Sequence, residues 1–196
     1  MSKDSYLGIT ESSTSLYKQS GSKFMGYLFP IKDLNQLKNK LSELREMHPD
    51  ATHICYAYIL GLDRNTTYFT DDGEPSNSSG RPILNALLSS SLSYVMCAVV
   101  RYYGGKKLGI PGLIQSYGQA ASECIVAIEI KELKLMDELI CTIAANQQHL
   151  LFNFLNKQKD LNYEFNDGQF SISCSQSMTS VLRTELLNLP TLALIE

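Results

Sequence analysis

Two short stretches gather most of the side chains that could do chemistry: Asp71-Asp72-Gly73-Glu74-Pro75-Ser76, and further on Arg101-Tyr102-Tyr103-Gly104-Gly105-Lys106-Lys107-Leu108-Gly109. Closely spaced carboxylates at Asp71, Asp72 and Glu74 have two chemical uses. They could ligate a divalent cation, or share a proton as a general acid/base pair. Calcium-loop spacing is broken by Asp72-Gly73, so no metal is assigned. The same residues also make a turn: Asp bonds nearby amides, Gly73 accepts positive φ and Pro75 stiffens the exit. The second stretch is basic. Arg101, Lys106 and Lys107 suit phosphate, as do the amides that open a following helix, and Gly104, Gly105 and Gly109 let backbone approach a ligand. Arg81, at the start of a neighbouring helix, could assist. Neither G-x-x-x-x-G-K-[ST] nor G-x-G-x-x-G is present. Arg101 could alternatively pair with Asp71, Asp72 or Glu74, leaving Lys106 and Lys107 for a partner.

Other candidates are sparser. His48, His53 and His149 are far apart in sequence, and no H-x-x-x-H occurs. His53 could act as a base beside Cys55, since residues two apart on a strand share a face, but no third group to orient it is visible. The 5 cysteines are scattered without a C-x-x-C and lie mostly in apolar stretches, which predicts free, buried thiols. No cofactor is expected.

Elements that must position these residues follow from periodicity. Two strands flank Gln19-Ser20-Gly21-Ser22, the second running over residues 23–29. Asp33 is placed to cap a helix carrying Leu34, Leu37, Leu41, Leu44 and Met47, which ends at His48-Pro49-Asp50. A strand over residues 52–60 and a weaker one over 66–70 precede the acidic turn. Ser78 or Ser79 is expected to cap the next helix, with Pro82 in its first turn and Ile83, Leu84, Leu87 and Leu88 inward. The almost wholly apolar run 94–100 predicts a strand buried on both faces. Pro111 then opens a helix with Leu113, Tyr117, Ala120, Ala121, Cys124 and Ile128 inward.

The pattern loosens around residues 131–136, which sets an expected boundary between domains 1–134 and 135–196. Beyond it the order is strand, helix, strand, strand, helix, strand, with Asn166-Asp167-Gly168 as a hairpin turn. That is the split βαβ order of ferredoxin-like domains. The expected class is α+β.

Charge narrows the partners. Residues 1–134 hold 14 Lys/Arg against 13 Asp/Glu and residues 135–196 hold 3 against 7, so the chain is no general polyanion binder. Any polyanion site must be local and lie in the first domain. Apolar runs are too short to span a bilayer and the N-terminus lacks a secretory pattern, so a cytoplasmic protein without membrane partners is expected.

Ser22-Lys23-Phe24, the run Ala51 to Ala57, both charged turns, Gly80-Arg81-Pro82-Ile83-Leu84, Val99-Val100 and Gly112-Leu113 together resemble the IMPACT/YigZ family. The resemblance implies an N-terminal domain similar to ribosomal protein S5 domain 2. It also implies a C-terminal ferredoxin-like domain similar to one in translocating elongation factors. Eukaryotic members restrain a stress-activated kinase through a further N-terminal domain, which this chain is not expected to carry. The expectation is therefore a non-enzymatic protein of the bacterial type that binds structured RNA or the ribosome and modulates translation. A translation-regulatory protein is a further candidate partner. Two alternatives remain: an enzyme for a small phosphorylated or nucleotide substrate using Asp71, Asp72, Glu74 or His53, and a protein-interaction module. The chain departs from the family at Asn77-Ser78-Ser79-Gly80, usually Gly-Thr-Ala-Gly, and at Ile110-Pro111, usually Thr-Gly. The second change removes a hydroxyl and an N–H from the helix start.

Overall fold

The computed structural model describes residues 4–195, which divide into two compact units: residues 6–133, and residues 134–195 together with Asp4 and Ser5. Short strands β1 (Ser5–Gly8) and β7 (Lys131–Lys134) form a small two-stranded sheet of their own. Neither was read as a strand from the sequence: β1 is only 4 residues long, and Lys131-Glu132-Leu133-Lys134 is mostly charged and exposed.

The larger unit is built on strands β2 (Ser13–Gln19), β3 (Ser22–Pro30), β4 (His53–Leu60), β5 (Thr66–Thr70) and β6 (Val95–Tyr102). They form one sheet in the order β2-β3-β6-β4-β5, antiparallel at every pairing. The central β6 is apolar because it is buried on both faces. Helix α1 (Leu34–Met47) covers one face with Leu37, Leu41 and Leu44 against Met96, Ala98 and Val100. As expected, Asp33 caps it, accepting from the amides of Asn35 and Gln36 at 2.8 Å each. Leu34 and Met47 share the helical spacing but remain exposed at its ends.

Helices α2 (Gly80–Ser89) and α3 (Gly109–Val126) cover the other face. Ile83, Leu87, Leu113, Tyr117, Ala120 and Cys124 pack there on Cys55, Ala57, Cys97 and Val99. Leu88, expected inward, is exposed, since the buried stripe of α2 closes with Ile83, Leu84 and Leu87. All five cysteines are free and buried.

This topology places the two charged turns together. Strands β5 and β6 both run antiparallel to β4, so both end beside its start. The acidic turn follows β5 into α2, and the basic turn follows β6 into α3. Register sets His53 directly opposite Arg101, and Phe24 opposite Arg101 on the other side.

The smaller unit has strands β8 (Met136–Thr142), β9 (Leu161–Asn166), β10 (Gln169–Ser175) and β11 (Ala193–Ile195), with helices α4 (Gln148–Leu155) and α5 (Gln176–Leu187). A single 3-10 turn, Ala145–Gln147, precedes α4. The sheet order is β11-β8-β10-β9, antiparallel throughout. Its core is formed by Leu139, Cys141, Leu151, Leu155, Phe170, Ile172, Leu182 and Leu186. The fold is α+β, with two principal sheets.

Candidate functional site

The acidic turn is consumed from within. Asp71 accepts hydrogen bonds at Oδ1 from the Ser79 amide (3.0 Å), the Ser79 hydroxyl (2.7 Å) and the Gly80 amide (2.9 Å), and at Oδ2 from the Asn77 amide (2.8 Å). It therefore caps α2. The sequence assigned that role to Ser78 or Ser79, but neither hydroxyl caps the helix: Ser79 donates to Asp71, and Ser78 donates to the Pro75 carbonyl. Burial alone would raise the Asp71 pKa, yet these hydrogen bonds outweigh it and hold the carboxyl below its ordinary value.

Asp72 ties the turn to the sheet. Its Oδ2 accepts from the Ile54 amide at 2.7 Å, and its carbonyl accepts from His53 Nδ1 at 2.6 Å. It holds φ at 43°, a left-handed conformation that Asp tolerates better than most residues. His53 thus has an orienting group that sequence could not show. Its Nε2 lies 4.0 Å from Glu74 Oε1. Cys55 is no partner for it: burial pushes that thiol up to about 12, and Sγ donates to the Asp71 carbonyl at 3.1 Å.

Glu74 turns inward and receives Arg101. Nη1 of Arg101 donates to Glu74 Oε1, which also accepts from the Tyr117 hydroxyl at 2.8 Å. Only 7% of the Arg101 side chain and 4% of the Glu74 side chain are exposed, so this is an interior ion pair. Sequence left Asp71, Asp72 and Glu74 open as partners, and the turn selects Glu74, since the other two carboxylates are taken by backbone amides. The guanidinium carbon sits 5.5 Å from the ring centres of both Phe24 and Tyr103. Its Nε is buried without a hydrogen-bond partner.

The basic turn is held by backbone. Thr52 donates its amide to the Arg101 carbonyl (2.8 Å), and its Oγ accepts from the Tyr103 amide (3.1 Å). Gly104 crosses the β2–β3 turn so closely that a Cβ there would lie 1.9 Å from the Gly21 carbonyl carbon. Gly109 enters α3 at φ +69°. No side chain caps α3. Lys106 and Lys107 are exposed.

A cavity of about 470 Å³ lies beside the two turns, lined by Thr52, His53, Glu74, Pro75, Arg101, Tyr103 and Lys107, and by Leu108, Gly109, Ile110 and Leu113. Arg101, Lys107, His53 and Glu74 are thereby brought together. Lys106 and Arg81 are not among the lining residues. Arg81 is exposed near the start of α2, with its guanidinium 5.7 Å from the Phe69 ring. Among the described residues no three His, Cys, Asp or Glu side chains form a set that could hold a metal ion. Sequence gave no notice of Tyr103 as the lid over Arg101, nor of Tyr117 as a donor to Glu74. The one available signal was a tyrosine on the inward face of α3, whose hydroxyl needs a partner when buried.

Fold and site together define a two-unit α+β protein whose larger unit carries a mixed-charge cavity. Residues 20–125 match the Impact N-terminal domain family. The chain belongs to the IMPACT family and resembles its bacterial members. It is 36% identical over 124 residues to an IMPACT family member of Haemophilus influenzae, covering 61% of this chain and 60% of the relative. It is 36% identical over 106 residues to the IMPACT family member YigZ of Escherichia coli, covering 53% and 52%. The chain thus spans between about half and three-fifths of these relatives' own length. A crystal structure described as that of a hypothetical protein matches over 98% of both chains, with a TM-score of 0.71 at 25% identity. No helix among the described residues is long and apolar enough to cross a membrane.

Proposed function

We propose that this protein is a non-enzymatic RNA-binding protein that engages structured RNA, the ribosome's included, and modulates translation. One observation carries the binding part. Lys107, the uncapped start of α3 and an arginine whose Nε has no hydrogen-bond partner line a single cavity. The one carboxylate there, Glu74, is already neutralised by Arg101. Cations and helix amides facing one space suit phosphate. Modulation of translation is the family expectation applied to this chain. The domain assignment belongs to the same proposal: residues 1–134 as an S5 domain 2-like domain and 135–196 as a ferredoxin-like one. For the second, the βαββαβ order and the strand order β11-β8-β10-β9 are the support.

Structure revises the contact count. Arg101 lines the cavity but is already charge-paired with Glu74, so it releases no counterion, and Arg81 lies off the cavity; Lys106 and Lys107 remain as the exposed, unpaired cations of the basic turn. Two contacts predict a log–log salt slope near −2 for ribosome or structured-RNA binding, hence roughly a tenfold loss between about 50 and 200 mM salt. Lys106→Ala/Lys107→Ala should abolish that binding. Absence of binding at the lower salt, or a double variant that binds like wild type, overturns the proposal.

A second reading is favoured by His53 and Glu74, which face the same cavity with His53 oriented by the Asp72 carbonyl. That arrangement suits acid–base chemistry on a small phosphorylated or nucleotide substrate. Its signature would be turnover lost in His53→Gln while substrate binding persists. Asp71 and Asp72 have no part in it, because their carboxylates are committed to the amides of α2 and β4.

A further inference from the structure

The cavity is more than a patch of positive charge. One side is polar and anion-receptive. Arg101 lines it, its guanidinium carbon 5.5 Å from the ring centres of Phe24 and Tyr103, with Nη1 committed to Glu74 and Nε buried without a partner. Gly109 and Ile110, at the uncapped first turn of α3, line the same space, and the opening amides of a helix have no intrahelical acceptors. Lys107 adds a full charge and has no ion-pair partner among the described residues.

The rest of the lining is apolar or aromatic: Pro75, Tyr103, Leu108, Ile110 and Leu113. Tyr103 and Ile110 are about half exposed at 48% and 53%, so a ring and an aliphatic side chain are presented to whatever enters. A ligand matching this space has one anionic end and one flat, apolar body. Its volume of about 470 Å³ lies in the range of small-molecule sites and is far too small for a duplex. A phosphosugar would satisfy the anionic end and leave the apolar lining without a counterpart.

We infer that the cavity takes one unpaired nucleotide, its phosphate toward Arg101, Lys107 and the start of α3, its base against Tyr103, Ile110 and Leu113. The inference rests on the RNA-binding reading and narrows it: the protein grips RNA at a chain end or an extruded loop base, where stacking on an aromatic side chain is open to the base. The same chemistry is offered by a free nucleoside monophosphate, and the experiment separates the two sources.

The full chain is titrated with AMP, adenosine, ribose 5-phosphate and a short single-stranded RNA, and AMP is then used to compete with ribosome binding. AMP should bind and compete, with adenosine and ribose 5-phosphate each at least about tenfold weaker, because each lacks one half of the match. Tyr103→Ala should weaken AMP about tenfold while leaving ribose 5-phosphate unchanged, and Tyr103→Phe should restore it. Lys107→Ala should weaken AMP and ribose 5-phosphate alike. Ribosome binding that AMP neither joins nor displaces overturns the inference and leaves the RNA reading standing. AMP binding with no affinity for RNA or ribosomes upholds the nucleotide site, assigns it to free nucleotide and overturns the RNA reading. Ribose 5-phosphate binding as tightly as AMP overturns the placement of the base.

Discussion

Helices α2 and α3 start at the same end of the same sheet, each after a charged turn, and their starts are finished in opposite ways. At α2 the orphan amides meet Asp71, whose carboxylate reaches across the turn and takes Ser79 and Gly80 together. At α3 the turn has no acceptor to offer. Glycines at 104 and 109 shape the backbone, lysines flank it, and Gly109 and Ile110 line a cavity. One start is closed by the chain's own anion, and the other is left with the electrostatics of an anion receptor. Between them runs the Glu74–Arg101 pair, which belongs to both turns. The difference is one of commitment: the Asp71 and Asp72 carboxylates are taken by backbone amides, and Lys106 and Lys107 have no ion-pair partner among the described residues.

Cutting the joint should have the largest effect. Glu74→Ala leaves Arg101 interior and unpaired, and breaking a buried pair by removing one partner costs about 3–5 kcal/mol. Urea denaturation should show that loss with the slope m unchanged. Glu74→Gln keeps the volume and an acceptor for Tyr117, so it should recover part of it. A loss of under about 1 kcal/mol for Glu74→Ala, the range of an exposed pair, would mean that the two turns are held independently.

Removing the internal cap should matter less. Asp71→Ala leaves the amides of Asn77, Ser79 and Gly80 without their acceptor and should cost about 1–2 kcal/mol at neutral pH. The sign of its pH dependence follows from the lowered folded-state pKa. Such a group contributes stability above its ordinary pKa of 3.8 and loses it as pH falls through the lower folded value. The gap between wild type and Asp71→Ala should therefore be full above about pH 5 and shrink as acid is added below about pH 4. Denaturation midpoints measured from pH 7 down to about pH 3 test it, and a gap that stays constant would show that the cap does not depend on the carboxylate charge.

These two residues also show where sequence reading reached its limit. Local pattern located β5 over Thr66–Thr70, the cap at Asp33 and the helix after each charged turn, because each depends on neighbours within a few residues. Ser78 and Ser79 stood at the right place to cap α2, but an acceptor eight positions back won, since the turn folds Asp71 directly under the helix. The partner of Arg101 was narrowed to three carboxylates and settled only by the fold of the acidic turn, which commits Asp71 and Asp72 to amides and leaves Glu74 for Arg101. The cavity was not legible at all. Its lining comes from β4, both turns and α3, and Ile110 or Leu113 gives no local sign of facing Thr52 and Arg101.

The smallest expected effect is the sharpest test of the contrast between the two starts. Gly109 takes φ +69°, where a side chain is strained, but a Cβ there would meet only Pro111 Cδ at 3.8 Å. Gly109→Ala therefore adds backbone strain without a collision, at a cost of about 1 kcal/mol. Rotation of the residue toward negative φ relieves that strain and shifts the first turn of α3, where Gly109 and Ile110 line the cavity. Asp71→Ala should then lower stability and leave AMP affinity nearly unchanged, while Gly109→Ala lowers stability slightly and AMP affinity severalfold. If Gly109→Ala loses stability alone, the start of α3 is open without being a receptor. Phosphate recognition would then fall to Lys107 and Arg101, and the opposite finishing of the two helices would be a matter of architecture only.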